Sequence, residues 1–219
     1  MKLDWGLITT AAVIAAILIF LYRLEKSSFN SRQISLMAAL IAFTAAGRMV
    51  TGAGMLFLQP TMFLPFVTGW VMGARTAFFV GAMTPLIANI FMGQGAWTPF
   101  QMLGWGLIGL SGAVLKRLYP AAGPVLLTIM CGFWGYFYGA IMDIWQWVTF
   151  IHPLTLQGYL VLWLAGFSFD SMRALGNLLF CGVLGAQTIK ILAYYQKKMS
   201  IQYMEEGDLP QGVSSWSER

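Results

Sequence analysis

The sequence predicts an all-α fold, a polytopic integral membrane helix bundle. Three observations lead to this prediction: 58% of the 219 residues are hydrophobic, only 10% are charged, and the mean hydropathy is +0.71. A water-soluble fold of this length cannot bury so much apolar surface. The net charge of +5 does not indicate nucleic-acid binding, because Lys and Arg stand singly between apolar runs and form no basic stripe.

Seven apolar runs are predicted to be transmembrane helices. A helix needs about 20 apolar residues to cross roughly 30 Å of hydrocarbon, where its backbone groups must bond one another. The predicted spans are residues 6–22, 34–52, 57–73, 76–92, 99–115, 121–146 and 173–193. The first run lacks a clear cleavage site before Arg23, so we expect an uncleaved helix there.

Basic residues orient the predicted bundle, because Lys and Arg concentrate in cytoplasmic loops. With seven alternating spans, ten of the 13 Lys and Arg residues fall on one side. Only Lys2, Arg48 and Arg173 fall on the other side. We therefore expect the amino terminus outside and the carboxyl terminus in the cytoplasm.

Two stretches are expected to lie outside the spans. Residues 147–169 contain an apolar run at 159–167 that is too short to cross, which predicts an external loop with a short interfacial or re-entrant helix. Residues 199–219 include a polar stretch with Gly, Pro and Ser. From that composition we expect a disordered cytoplasmic tail.

Polar side chains gather where the predicted helices approach the external leaflet. A polar group inside a bilayer is costly unless it is paired or hydrated, so these positions are candidates for ligand binding. The set comprises Arg48, Asn89, Gln94, Thr98, Gln101, Asp143, Gln146, Asp170, Arg173 and Asn177. For the charged members, snorkelling or an ion pair, such as Asp170 with Arg173 one turn later, remains an alternative.

Aromatic residues lie in the same outer half of the predicted bundle. Flat rings with sparse polar anchors suit a small organic ligand, although an aromatic belt at the headgroup level also explains single Trp residues. Trp97 and Trp105 are the better candidates because they flank Gln101. Gly93 and Gly95 lie between the fourth span and Trp97, where they can bend the chain over a site. They do not form a phosphate-binding loop, because no GK[ST] follows them.

A stripe of small residues occupies the second span. Ala38, Ala42 and Ala46 repeat every four residues and so lie on one helix face. Small side chains at this spacing let another helix approach closely. That helix can belong to this chain or to a separate subunit.

Signatures of membrane enzymes and metal sites are missing from the sequence. It holds no GxSxG elbow and no HExxH helix, and Ser111 and His152 are expected at opposite ends of the bundle. Cys131 and Cys181 have no CxxC pattern or nearby His, so we expect buried thiols, no metal and no cofactor. A self-sufficient carrier is a further alternative, but its usual charged relay near the midplane is nearly absent.

Three segments resemble the substrate-binding S component of energy-coupling factor vitamin transporters. They are ISLMAALIAFTAAGR at 34–48, FVTGWVMGARTAFFVGAMTPLIANIFMGQGAWTPFQMLGWGLIGLSGAVL at 66–115, and FDSMRALGNLLF at 169–180, which resembles the start of the family's last helix. The GQG-WTP-QM signature is the most specific part. It is similar to components associated with cobalamin or its precursors.

The resemblance implies a six-helix S-component core at 33–198 that binds a vitamin or precursor outside a prokaryotic plasma membrane, without catalysis. Residues 1–32 would then be one extra N-terminal transmembrane helix and a basic cytoplasmic loop. Ala38 and Ala42 would dock on a transmembrane coupling subunit driven by two ATPase subunits. The implied ligand contacts are Arg48, Asn89, Gln94, Trp97, Gln101, Tyr138, Asp143, Asp170 and Asn177, and the residue pattern adds Thr98 and Trp105.

Overall fold

The chain folds into α-helices joined by short connections. The structure is a computed structural model that describes residues 4–25, 29, 31–52 and 62–207. The helices are α1 (Trp5–Glu25), α2 (Ser31–Gly52), α3 (Phe63–Met72), α4 (Ala74–Met92), α5 (Thr98–Leu118), α6 (Pro124–Phe150) and α7 (Leu156–Gly207). No strand occurs within the described ranges, so the all-α prediction is confirmed for them.

Five helices are long and apolar enough to cross a membrane, namely α1, α2, α4, α6 and α7. The 21-residue α5 has the length, but its glycines and its polar first turn lower its hydropathy. The 10-residue α3 measures only about 15 Å. Residues 57–61 of the predicted third span lie outside the described residues. The protein is thus a multi-pass helical membrane protein, with five helices that meet the criteria for a span where the sequence predicted seven.

The prediction for residues 147–169 is wrong. Residues 147–150 complete α6, a short connection occupies 151–155, and one unbroken helix then begins at Leu156. The apolar run at 159–167 is therefore the beginning of the last span and not a re-entrant segment. The polar residues Asp170 and Arg173, which suggested a helix start, lie inside the helix and pair with each other.

The length of α7 exceeds any single crossing. Its 52 residues measure about 78 Å, more than twice the hydrocarbon thickness. It therefore extends beyond the bilayer. The helix continues to Gly207, so the first part of the segment 199–219 is helical where we expected disorder. Residues 208–219 of that predicted tail, like parts of the basic loop before α2, lie outside the described residues.

Helices α6 and α7 form a long antiparallel pair with close backbone contact. The pairing keeps one register, because Gly132 faces Leu178 and Gly135 faces Ala174. A Cβ atom added to Gly135 would lie 2.5 Å from the Cα atom of Ala174. Real Cβ atoms do not approach that closely, so this crossing requires glycine.

Helix α5 is the central helix of the bundle and contacts α1, α3, α4 and α6. Glycines on α5 make this possible. A Cβ atom on Gly109 would lie 2.5 Å from the backbone oxygen of Ala77 in α4, and one on Gly112 would overlap the backbone oxygen of Phe66 in α3. The glycines between 104 and 112 therefore serve helix packing.

Helix α1 packs on the outside of this bundle, against α5 and α6. The ring of Phe20 lies 3.8 Å from the ring of Phe78, centroid to centroid. At its beginning, Gly6 lies against the backbone of Val148 near the end of α6. Much of the remaining α1 surface is apolar and exposed, including Leu7 and Leu18, as expected for a helix that faces lipid.

Candidate ligand-binding site

The predicted site residues lie toward one end of the bundle, where the connections 93–97 and 151–155 meet. The Trp97 ring before α5 lies edge-on to the Trp145 ring near the end of α6, with centroids 5.7 Å apart. We name this end the polar end. Buried polar side chains in the helices that lead to it are Arg48, Asn89, Thr98, Asp143 and Asp170.

The polar residues of α4 and α5 bond mainly to one another. The Asn89 side-chain nitrogen donates to Thr98 Oγ1 at 3.0 Å and to Gln101 Oε1 at 2.7 Å. The Thr98 hydroxyl donates to Gln94 Oε1 at 3.0 Å, and Gln94 Nε2 donates to the backbone oxygen of Leu86 at 2.8 Å. These bonds hold the α4–α5 connection closed, so four predicted ligand contacts are brought together but have a structural role.

Arg48 and Trp105 form a second buried element of the site. The Arg48 side chain is 5% exposed, and its guanidinium carbon lies 5.3 Å from the centroid of the Trp105 ring. This distance allows a cation–π interaction. Trp105 is fully buried, and its indole N–H has no hydrogen-bond partner among the described residues. The sequence placed both residues near a ligand, and the structure places them against each other.

A reciprocal glycine–aspartate arrangement lies between α6 and α7. Each helix carries a glycine four residues before an aspartate, Gly139 before Asp143 and Gly166 before Asp170. Because the helices are antiparallel, each carboxylate faces the glycine of the other helix. The Asp170 carboxylate lies directly on Gly139, and the Asp143 carboxylate faces Gly166.

The charge of Asp170 is compensated within α7. Its carboxylate forms an ion pair with Arg173, the alternative that the sequence left open. Arg173 also donates to the backbone oxygen of Gly135 at 3.3 Å, and its guanidinium carbon lies 5.0 Å from the Tyr138 ring centroid. Tyr138 in turn packs on Gly104 of α5. Asp170, Arg173 and Tyr138 thus link α5, α6 and α7.

Asp143 has no comparable partner. The residue is 7% exposed, and its Oδ2 atom accepts no hydrogen bond from any described residue. A Cβ atom built on Gly166 would lie 3.9 Å and 4.0 Å from the two Asp143 carboxylate oxygens, and no other described atom beyond its own helical turn would come within 4 Å. No described group other than the Asp143 carboxylate therefore lies beside Gly166.

Two aromatic residues lie beyond Asp143 toward the polar end, Trp147 one turn along α6 and Tyr159 about two turns from Gly166 along α7. The Trp147 and Tyr159 rings meet edge-on, with centroids 5.7 Å apart. Tyr159 donates from its hydroxyl to the backbone oxygen of Ala140 at 3.1 Å, which fixes the ring between the helices. Tyr159 also lies within electrostatic range of Asp143 and Asp170. We name Asp143, Gly166, Trp147 and Tyr159 the Asp143 cluster.

Asn177 is not part of this cluster. It lies about two turns from Asp170 along α7, roughly 10 Å farther from the polar end. Its side-chain nitrogen donates to the backbone oxygen of Cys131 at 3.0 Å and contacts Met62 Sδ at 3.3 Å. We expected Asn177 at the outer rim, whereas the structure uses its side-chain nitrogen to join α6 and α7 next to α3.

The alanine stripe and the thiols occupy contrasting positions. Ala38, Ala42 and Ala46 are all exposed, so none of the described helices covers the stripe. Cys131 and Cys181 are buried free thiols, as expected, and their side chains interact across α6 and α7.

Sequence reasoning did not select Gly139 or Gly166, and it counted Trp147 and Tyr159 only among the aromatic residues of the outer half. The signal that would have found the two glycines is the GxxxD pattern, which occurs once in each of two neighbouring helices. The pattern becomes informative only when the helices are known to be antiparallel and in register. Within the described ranges, no group of three His, Cys, Asp or Glu residues could hold a metal ion.

Comparison with known proteins adds no relative to this account. Protein-family models, curated proteins and solved structures were each compared with the chain, and none of the three comparisons finds a match.

Proposed function

We propose that this protein is the membrane-embedded substrate-binding subunit of an energy-coupling-factor-type ABC importer. It captures a vitamin or vitamin precursor at the external face of a prokaryotic cell membrane. It then delivers the ligand by docking on a coupling subunit that two ATPase subunits drive. The main support is the set of buried polar groups at one end of the bundle, in particular Asp143 and Trp105, which each present a polar atom with no described partner.

The interior of the bundle supports binding over free passage. The core in the middle of the bundle is filled by large apolar side chains such as Met62, Phe66 and Ile108. A ligand at the polar end therefore has no path through this core, and the cavity of about 430 Å³ between α6 and α7 is lined mainly by apolar residues such as Ile129 and Leu178. Release on the other side needs a rearrangement, which fits a subunit that depends on partners and not a channel.

The surface of α2 supports docking on a partner. The stripe of Ala38, Ala42 and Ala46 is exposed, so a helix from another protein can approach α2 closely there. Between helices in lipid, close van der Waals packing replaces the hydrophobic effect as the driving force. This proposal gives the protein no catalytic residue and places ATP hydrolysis on the partner subunits.

Ligand binding by the isolated subunit tests the proposal. The purified full chain is dialysed to equilibrium against a panel of vitamins, including cobalamin and its precursors, and against a cell extract, without nucleotide. We expect saturable binding of one compound at one site per chain. The absence of any bound compound from both the panel and the extract would remove the basis of the proposal.

Docking is tested with one substitution on the stripe and one away from it. Ala42→Trp places a large ring on the stripe, whereas Leu18→Trp changes an exposed residue of α1. We expect only Ala42→Trp to abolish co-purification with the coupling and ATPase subunits, and both variants to keep ligand binding. Uptake into proteoliposomes by this chain alone would instead indicate a self-sufficient carrier.

A further inference from the structure

We infer that the ligand carries a protonated primary or secondary amine and that Asp143 binds it. The inference rests on the proposed function, because it assigns the chemical class of the ligand to the same polar end.

The first step is the charge balance between α6 and α7. The Asp143 and Asp170 carboxylates lie about one helical turn apart in this interface, close enough to repel each other. Arg173 forms its ion pair with Asp170 and lies only within electrostatic range of Asp143, so Asp143 has no ion-pair partner of its own in the described structure. No described side chain, Arg48 included, donates a hydrogen bond to Asp143 Oδ2. Burying a carboxylate without an ion-pair partner costs free energy, so a cation supplied by a ligand would stabilise Asp143 by forming that ion pair.

The second step is the space beside the carboxylate. Gly139 and Gly166 occupy equivalent positions, yet Asp170 fills the space beside Gly139 and leaves none for another group. At Gly166, only the two Asp143 oxygens are near, at 3.9 Å and 4.0 Å from the Cβ position. An ammonium group placed in this space can donate an N–H to the Asp143 carboxylate, although the Oδ2 atom itself is enclosed. A quaternary ammonium cannot donate, so the geometry favours primary and secondary amines.

The third step is the aromatic wall. Trp147 lies one turn from Asp143 toward the polar end and Tyr159 about two turns from Gly166 in the same direction, with the centroids of the two edge-on rings 5.7 Å apart. A carboxylate combined with Trp and Tyr faces is the arrangement that attracts an organic cation, because the ring faces are electronegative. An anionic or neutral ligand would leave the Asp143 charge uncompensated. The inference therefore favours an amine-bearing vitamin or precursor over cobalamin, whose peripheral side chains are carboxamides.

A pair of probes of equal shape tests the inference on the purified full chain. Benzylamine is protonated at pH 7, benzyl alcohol is neutral, and the two molecules have nearly the same size. The melting temperature is measured with each probe over a concentration series. We expect a saturable rise with benzylamine and at least a tenfold weaker effect of benzyl alcohol.

Variants connect the effect to the cluster. Asp143→Asn keeps the side-chain shape and removes the charge, and Gly166→Val fills the space while keeping the charge. We expect both to lose the benzylamine shift. Gly182→Ala, on the same helix pair with only Thr128 nearby at 3.6 Å, should keep it. A cooperative melting transition of each variant without probe shows that the variant is folded.

Three results would overturn the inference: equal shifts from the two probes, no shift from either, or a full benzylamine shift in Asp143→Asn. Its failure is distinct from that of the proposed function. If dialysis identifies a bound compound without a basic nitrogen, the protein remains a binding subunit and the amine assignment is wrong.

Discussion

Asp143 and Asp170 are the same side chain on facing helices, but they differ in what surrounds them. Asp170→Asn leaves the Arg173 side chain, only 14% exposed, without its ion-pair partner. Breaking a buried pair in this way costs about 3 kcal/mol. We therefore expect a clear drop in the melting temperature of the purified protein. Asp143→Asn removes an uncompensated charge, so its melting temperature should stay equal or rise.

The two variants are controls for each other, because each exchanges one carboxylate for one amide in the same interface. A larger loss of stability from Asp143→Asn than from Asp170→Asn would show that Asp143 already has a partner. In that case Asp143 would not be a carboxylate that lacks a partner.

Asn89 allows a second prediction at this scale. Asn89→Ala removes the hydrogen bonds to Thr98 and Gln101; Thr98 keeps its bonds to Gln94 and Gly95, whereas the half-buried Gln101 Oε1 loses the Asn89 donor. We expect a loss of about 1–3 kcal/mol of stability and weaker ligand binding, because the α4–α5 connection would open. Gln94→Ala, at an exposed position, should cost less. Melting curves and dialysis of both variants measure the difference, and equal losses would contradict the assigned role of Asn89.

At the scale of the elements, the α6–α7 pair depends on glycine at its closest crossing. Gly135→Ala forces a methyl group to within 2.5 Å of the Ala174 backbone. We expect it to lower stability by about 1–3 kcal/mol through overpacking. Gly182→Ala meets only Thr128 at 3.6 Å and should be neutral or stabilising by up to about 1 kcal/mol, from helix propensity.

Thermal melting of these two glycine variants in detergent gives the comparison. If both variants are neutral, α6 and α7 are farther apart than the structure shows. If Gly182→Ala lowers stability as much as Gly135→Ala does, any side chain added to this surface destabilises the protein, and the close crossing at Gly135 is not the cause.

The sequence predicts helices well where a long apolar run dominates, as in α1, α2 and α4. It fails where a helix carries polar residues in its middle. The predicted span 173–193 placed Asp170 and Arg173 at a helix start, because the apolar run at 159–167 is too short to cross on its own. The structure shows that the pair is neutralised within the helix, so α7 continues through it.

The candidate site was predictable only in part. Polarity within apolar runs identifies Arg48, Asn89, Asp143 and Asp170 as unusual, and all four are buried. It does not distinguish a side chain that bonds its neighbours, such as Asn89, from one that has no partner, such as Asp143. That difference depends on the register of α6 against α7, which no local pattern specifies.

At the scale of the whole molecule, the bundle is asymmetric. The Asn89–Thr98 bonds and the two buried aspartates lie toward the connections 93–97 and 151–155, and a mainly apolar core that includes Asn177 and buried threonines lies beyond them. The proposal requires that the polar end face the outside of the cell, since a binding subunit of an importer must meet its ligand there. Orientation is therefore the central claim.

Cysteine labelling in intact cells tests that orientation directly. Gln157→Cys lies at the polar end and Ala121→Cys in the α5–α6 connection, and both positions are exposed. The native Cys131 and Cys181 are buried and should not react. We expect a membrane-impermeant maleimide to label Gln157→Cys in intact cells and to label Ala121→Cys only after permeabilisation. Labelling of Ala121→Cys but not Gln157→Cys in intact cells would contradict the account.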